Sequence, residues 1–145
     1  MTLDSKGEIK KHPREDYWDV IEKHRNGDIT LDPSFFCILK TKEKLVVPPE
    51  YSAEMVPYDE GAGEFRSHYA GFFDPGWGIV EGVHEGTAGV LEVRMRDVPM
   101  MTRDGQLFVK MIFEHMLEIP DVLYGEGKMK SNYHRQGLKL AKYFP

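Results

Sequence analysis

Residues 70–96 read AGFFDPGWGIVEGVHEGTAGVLEVRMR, and this stretch decides the fold class. A glycine-rich loop separates its two apolar segments. Within the stretch, Asp74-Pro75-Gly76 is typical of a tight turn. In the second segment Leu91 and Val93 alternate with Glu92, which is the period of a strand that buries one face. The stretch therefore predicts short strands joined by turns.

The same pattern continues through most of the chain. Strands are predicted at residues 29–31, 35–39, 45–47, 54–58, 65–70, 78–83, 89–96 and 107–116, with a charged turn at 41–44. Glycine and proline clusters separate these segments, and no helical crossover lies between them. The pattern favours an all-β barrel or sandwich over a parallel sheet.

The two ends of the chain differ from this central part. A short helix is predicted at 16–25, where Tyr17, Trp18, Ile21 and His24 have helical spacing. We divide the chain into an N-terminal arm with this helix (1–28), a β domain (29–122) and a flexible, basic C-terminal segment (123–145). The last segment is either a solvated tail or a lid that closes over a phosphorylated ligand. Its cations are Lys128, Lys130, Arg135, Lys139 and Lys142.

Composition limits the classes of protein that the chain can belong to. A chain of 145 residues with 41% hydrophobic and 30% charged residues is typical of one soluble domain. The formal net charge of −5 argues against a nucleic-acid polymer or a membrane surface as partner. The single cysteine, Cys37, lies in an apolar run and is expected to be a buried, inert thiol. No signal peptide or membrane span is present in the sequence, so we expect a cytoplasmic protein.

Motifs for several common chemistries are missing from the sequence. The six histidines have no zinc-ligand spacing and there is no Cys-x-x-Cys pair, so no zinc site is expected. Neither a phosphate-binding Gly-x-x-x-x-Gly-Lys loop nor a Gly-x-Ser-x-Gly elbow occurs. The chain is therefore not expected to be a zinc enzyme, a P-loop protein or a serine hydrolase.

One carboxylate stands out against the strand pattern. Glu92 lies in the middle of a predicted strand, where glutamate is disfavoured, and it shares a face with Val90 and Arg94. Two interpretations stay open from the residues alone. Glu92 either faces solvent and pairs with Arg94 or Arg96, or it forms the wall of a pocket where burial makes it a general base.

The segments 70–78 and 88–93 together resemble the signature of the dCTP deaminase family, which shares its fold with the trimeric dUTP pyrophosphatases. The family has an Asp-Pro-Gly-Trp-type turn followed by a strand that ends in Val-Leu-Glu. Residues 131–140 are similar to its C-terminal segment, and residues 103–107 to its turn into a late strand. The resemblance covers residues 29–145 and is strongest to the second repeat of the long, two-repeat form of the enzyme.

The resemblance implies a distorted β-barrel, a homotrimer with sites between subunits, and zinc-independent conversion of dCTP to dUTP and ammonia. Magnesium would be carried by the triphosphate of the nucleotide. Glu92 matches the catalytic glutamate, and Asp74 matches the residue that meets the deoxyribose 3′-hydroxyl. The other implied substrate-binding positions are Ala70, Phe73, Trp77, Val90, Tyr133, Gln136 and Lys139.

The chain departs from the family at the phosphate loop. The family has an Arg-Ser-Ser loop before the Asp-Pro-Gly turn, whereas this chain has Asp59, Glu60 and Glu64 there. Arg66 is the candidate to replace one missing arginine and is assigned a catalytic role. Two alternatives therefore stay open: a non-catalytic subunit that completes its site with a partner chain carrying the Arg-Ser-Ser repeat, and a dUTP pyrophosphatase, against which Glu92 argues.

Overall fold

The computed structural model describes residues 12–58, 65–68, 71–127, 137, 138, 140 and 144, of which 65–68 are described by their backbone. Its regular structure is almost entirely β. The strands are β1 (Ile29–Leu31), β2 (Phe36–Leu45), β3 (Tyr51–Pro57), β4 (Phe65–His68), β5 (Phe72–Phe73), β6 (Thr87–Met95), β7 (Met100–Thr102) and β8 (Val109–His115). The predicted all-β class is confirmed.

The described strands form three antiparallel sheets. The larger two have the strand orders β2-β6-β4 and β5-β3-β8, and β1 pairs with β7 in a third. β6 is the central strand of its sheet, and burial alternates along it, with Leu91, Val93 and Met95 buried. These residues pack against Met55 and Phe73 of the β5-β3-β8 sheet, so the hydrophobic core lies between the two sheets.

The helix predicted at 16–25 does not form. A 3-10 helix covers only Arg14–Asp16, and residues 18–24 have no regular structure. Instead, the Trp18 ring packs edge-on against Phe36 and Phe144. A ten-residue helix is marginal by itself in water, and here the aromatic contacts with distant residues take its place.

Three local predictions in the β region are also wrong. The strand predicted at 45–47 does not form as a separate element, because β2 ends at Leu45 and residues 46 and 47 have no regular structure. The charged turn at 41–44 is instead an irregularity within β2, where the pairing with β6 shifts register between Lys40 and Lys44. Residues 78–83 form turns and a single bridge between Val80 and Val83 in place of a strand. Gly78, Glu81 and Gly82 have positive φ values, which are incompatible with an extended strand.

Within the described part of the chain, the helical content is too small to provide a helix able to span a bilayer.

Candidate functional site

The outer face of the β2-β6-β4 sheet carries the candidate general base. Along β6 the core residues alternate with Val90, Glu92 and Arg94, so these three project to the side of the sheet away from the core. Strand pairing sets their neighbours. Glu92 lies opposite Ile38 of β2 and His68 of β4, and we call this set the carboxylate row.

The next row along the same face is rich in arginine. Arg94 lies opposite Phe36 of β2 and Arg66 of β4, and we call this set the arginine row. At the other end of the face, Lys40 lies opposite Val90. Along this face, Glu92 is therefore an acidic residue with a cationic residue on each side of it, Arg94 in one direction and Lys40 in the other.

The Glu92 side chain is half-buried. No described residue forms a hydrogen bond or an ion pair with its carboxylate. Arg94 instead places its guanidinium over the Phe36 ring, 5.9 Å from the ring centroid, and Arg96 forms an ion pair with Asp97 at 3.4 Å. The interpretation of Glu92 as a solvated partner of Arg94 or Arg96 is therefore not what the structure shows.

An aromatic cluster borders the arginine row. Trp18 packs against Phe36 with ring centroids 6.5 Å apart and against Phe144 with centroids 6.1 Å apart. Tyr17 also packs edge-on against Phe144, which is only 5% exposed. Residues near both ends of the chain therefore meet beside Phe36, a contact that no local sequence signal indicates.

The Asp74-Pro75-Gly76 segment forms the predicted tight turn. The Trp77 N–H donates to the Asp74 carbonyl at 3.1 Å, and backbone hydrogen bonds join Val47 to both Gly76 and Trp77. The Trp77 side chain is 6% exposed and packs between Phe73 and Tyr124, with centroids 5.0 and 4.9 Å away. The buried Trp77 Nε1 has no hydrogen-bond partner among the residues that the structure describes.

A cavity of about 240 Å³ lies beside this turn. Its walls are mostly apolar and include the Asp74 side chain. The lining residues are Asp74, Pro75, Met116, Pro120, Val122 and Tyr124. The Tyr124 N–H donates to the Pro75 carbonyl at 2.9 Å, which fixes the wall of the cavity to the turn. Tyr124 belongs to the predicted C-terminal segment and is not among the site residues that the sequence predicts.

The structure brings some of the predicted site residues together and separates others. Glu92 and Val90 share the outer face, and Arg66 has its register position in the neighbouring row. Phe73 and Trp77 are buried in the core, and Asp74 is exposed directly after β5, so their predicted contacts with a nucleotide stay predictions. The Arg66 side chain and residues Ala70, Tyr133, Gln136 and Lys139 lie outside the described part, so their roles stay predictions.

Outside the candidate site, the shifted pKa values of Cys37 and Lys42 are explained by the surroundings of each side chain. Burial, and secondarily the nearby Asp32 charge, raises the pKa of the Cys37 thiol above its ordinary value, and the side chain is 6% exposed. The expected buried, free thiol is thus confirmed. At the surface, a hydrogen-bonded ion pair with Asp104 raises the pKa of Lys42.

The described residues contain no group of three or more histidine, cysteine, aspartate or glutamate side chains that could hold a metal.

Comparison with known proteins identifies relatives of the chain. Residues 3–144 match the family described as "2'-deoxycytidine 5'-triphosphate deaminase (DCD), C-terminal domain". A crystal structure of 2'-deoxycytidine 5'-triphosphate deaminase from Agrobacterium tumefaciens matches with 45% identity and a TM-score of 0.66. That match covers 77% of this chain and 32% of the other, so the chain spans about a third of the length of that relative. No curated protein matches. Since the family match extends over nearly all of its residues, the chain belongs to the family of dCTP deaminase C-terminal domains.

Proposed function

We propose that the chain is a dCTP-deaminase-type hydrolase that converts dCTP to dUTP and ammonia, with Glu92 as general base. The observation that carries the proposal is the half-buried Glu92 carboxylate, which no described residue engages, on the outer face of β6. The family match and the 45% identical deaminase from Agrobacterium tumefaciens support the same reaction.

In this reaction Glu92 acts on the attacking water. Its carboxylate accepts a proton as the water oxygen forms a bond to C4 of cytosine. As the water oxygen adds, the π electrons of the C4–N3 double bond move to N3. The proton held by Glu92 then passes to the exocyclic amino group, the bond from C4 to this nitrogen breaks, and ammonia leaves as the C4–N3 double bond re-forms. Transfer of the C4 hydroxyl proton to N3 gives the uracil ring of dUTP. Glu92 is ionised at the start and at the end, so one carboxylate serves both proton transfers. Such acid–base assistance contributes about 10²- to 10⁴-fold in rate.

The substrate is the magnesium complex of dCTP, in which the phosphates carry the metal. Asp74 binds the deoxyribose 3′-hydroxyl and Val90 lines the nucleoside pocket, while the buried Phe73 and Trp77 contribute to that pocket by supporting, from the core, the turn that carries Asp74. Ala70, Tyr133, Gln136 and Lys139 complete the substrate contacts, with the C-terminal segment closing over the nucleotide. Because the site residues of this chain are divided between two sheets, we propose that a homotrimer completes each site at a subunit interface.

The test is ammonia release from dCTP by the Glu92→Gln variant. This substitution keeps the shape of the side chain and removes its basicity, so we expect turnover to fall by about 10²- to 10⁴-fold while dCTP binding survives. Glu54→Gln is the matched control, because Glu54 is an exposed mid-strand carboxylate on the β5-β3-β8 sheet. Near-full turnover by Glu92→Gln would contradict the assignment.

A second candidate function is a non-catalytic subunit that supplies half of an interface site. It is favoured by the acidic residues Asp59, Glu60 and Glu64 where the family has its Arg-Ser-Ser loop. An assay with and without a polypeptide that carries the Arg-Ser-Ser repeat separates the two functions. Ammonia release only from the mixture supports the half-site, and release by this chain alone supports the complete enzyme.

A further inference from the structure

The arginine row concentrates positive charge on the face that carries Glu92. Arg94 of β6 and Arg66 of β4 occupy directly opposed register positions on neighbouring antiparallel strands. A position rich in arginine on one face of a sheet favours an anionic ligand. No acidic residue occupies a position in the row: its third member is Phe36.

Arg94 is built into this row and remains accessible. Its side chain is exposed, no described carboxylate pairs with it, and its guanidinium lies over the Phe36 ring. The Phe36 ring in turn packs against Trp18. A cation–π contact of this kind holds the guanidinium near the ring and leaves its N–H donors available to bind phosphate.

The arginine row also has the right distance from the candidate base. Glu92 and Arg94 are two residues apart on one face of β6, which corresponds to about 7 Å along the strand. A ligand whose reacting ring meets the carboxylate row can therefore extend a charged group to the next row. Lys40, at the opposite end of the face, lies beside Val90, which is proposed to line the nucleoside pocket.

We propose that Arg94, which lies opposite Arg66 in register and over the Phe36 ring, binds the phosphates of the nucleotide substrate and replaces the Arg-Ser-Ser loop that this chain lacks. The inference rests on the proposed function in taking a nucleoside triphosphate as ligand, and it adds a phosphate-binding residue to that site. It also fixes the direction of the ligand, with the base at the carboxylate row and the phosphates at the arginine row.

The experiment measures binding without requiring catalysis. Inorganic tripolyphosphate and deoxycytidine are titrated separately into the intact chain and into its Arg94→Gln variant, by calorimetry. We expect the variant to bind tripolyphosphate about 10- to 100-fold more weakly, as for the loss of a charge-assisted contact, with unchanged affinity for deoxycytidine. Arg94→Lys should retain part of the affinity for tripolyphosphate, since it keeps the positive charge but loses the planar set of N–H donors of the guanidinium.

Arg96→Gln is the control, because it removes the same charge just beyond the end of β6, where Arg96 pairs with Asp97. It should bind tripolyphosphate like the unchanged chain. The proposal is overturned if the unchanged chain does not bind tripolyphosphate, if Arg94→Gln binds it equally well, or if that variant loses deoxycytidine to the same extent. Arg94-dependent binding of tripolyphosphate without ammonia release from dCTP would leave the phosphate site standing and refute the proposed function.

Discussion

Gly78, in the turn that follows Trp77, meets two separate constraints. Its φ is 79°, a left-handed conformation that disfavours any side chain. A Cβ added there would also overlap the carbonyl oxygen of Leu45 at the end of β2. We expect Gly78→Ala to lower the free energy of unfolding, measured by urea denaturation, by about 2–5 kcal/mol, which combines left-handed strain with overpacking.

Gly82 provides the comparison that separates the two constraints. Its φ is 76°, but a Cβ added at this position would have no atom within 4 Å. Gly82→Ala should therefore lose only about 1–2 kcal/mol, the cost of the left-handed conformation alone. Equal losses in the two variants would show that the Leu45 carbonyl does not restrict position 78.

At the scale of the element, Thr41 holds the irregularity in β2 where the sequence predicted a turn. Its hydroxyl donates to the Glu43 carbonyl at 2.8 Å and accepts the N–H of the buried Gly89 at 2.8 Å. Thr41→Val removes both hydrogen bonds with little change of shape and leaves the Gly89 N–H without its partner. We expect a loss of about 1–3 kcal/mol in the free energy of unfolding, measured by thermal or urea denaturation.

Thr41→Ser keeps the hydroxyl and serves as the matched variant. It should retain most of the stability, because both hydrogen bonds can still form. If the serine and valine variants lost the same amount, the methyl group of Thr41 rather than its hydroxyl would be responsible for holding β2 to β6.

The strands with clear alternation were predicted from the sequence, and the irregular ones were not. The buried face of β6 follows from Leu91 and Val93, and the Asp74-Pro75-Gly76 turn follows from its residue types. The charges at 41–44 favour a turn because their pattern is local, whereas β2 continues through them by pairing with β6, 44 residues away at Lys44 and Ala88. Long-range pairing of this kind has no signature in a short window of sequence.

At the scale of the whole molecule, the candidate site was predictable only in part. Alternation along β6 places Val90, Glu92 and Arg94 on one face, and this could be inferred from the sequence. The cross-strand neighbours could not, because they depend on the register of β2 and β4 against β6. Trp18 packs against Phe144, which lies more than 100 positions away in the sequence, and also against Phe36. Local sequence patterns predict neither contact.

The segment that follows β8 exposes several apolar side chains. Leu117 is fully exposed, and Ile119 and Val122 are 59% and 49% exposed, so apolar side chains are concentrated within six residues. Such a concentration is typical of a surface that another chain covers. We expect a homotrimer, with a mass by light scattering of about three times the 16.7 kDa of one chain, in which this segment contacts a second copy.

Leu117→Asp tests this contact directly, because a charge at the centre of an apolar interface would lose its hydration on assembly. We expect this variant to shift the mass towards one chain at micromolar concentration. Leu107→Asp is the control, since Leu107 is a 62% exposed leucine in the loop before β8 and lies outside the segment. A mass of one chain for the unchanged protein at all micromolar concentrations would contradict the trimer. If the Leu117→Asp variant keeps the mass of a trimer, residues 117–122 do not form the interface.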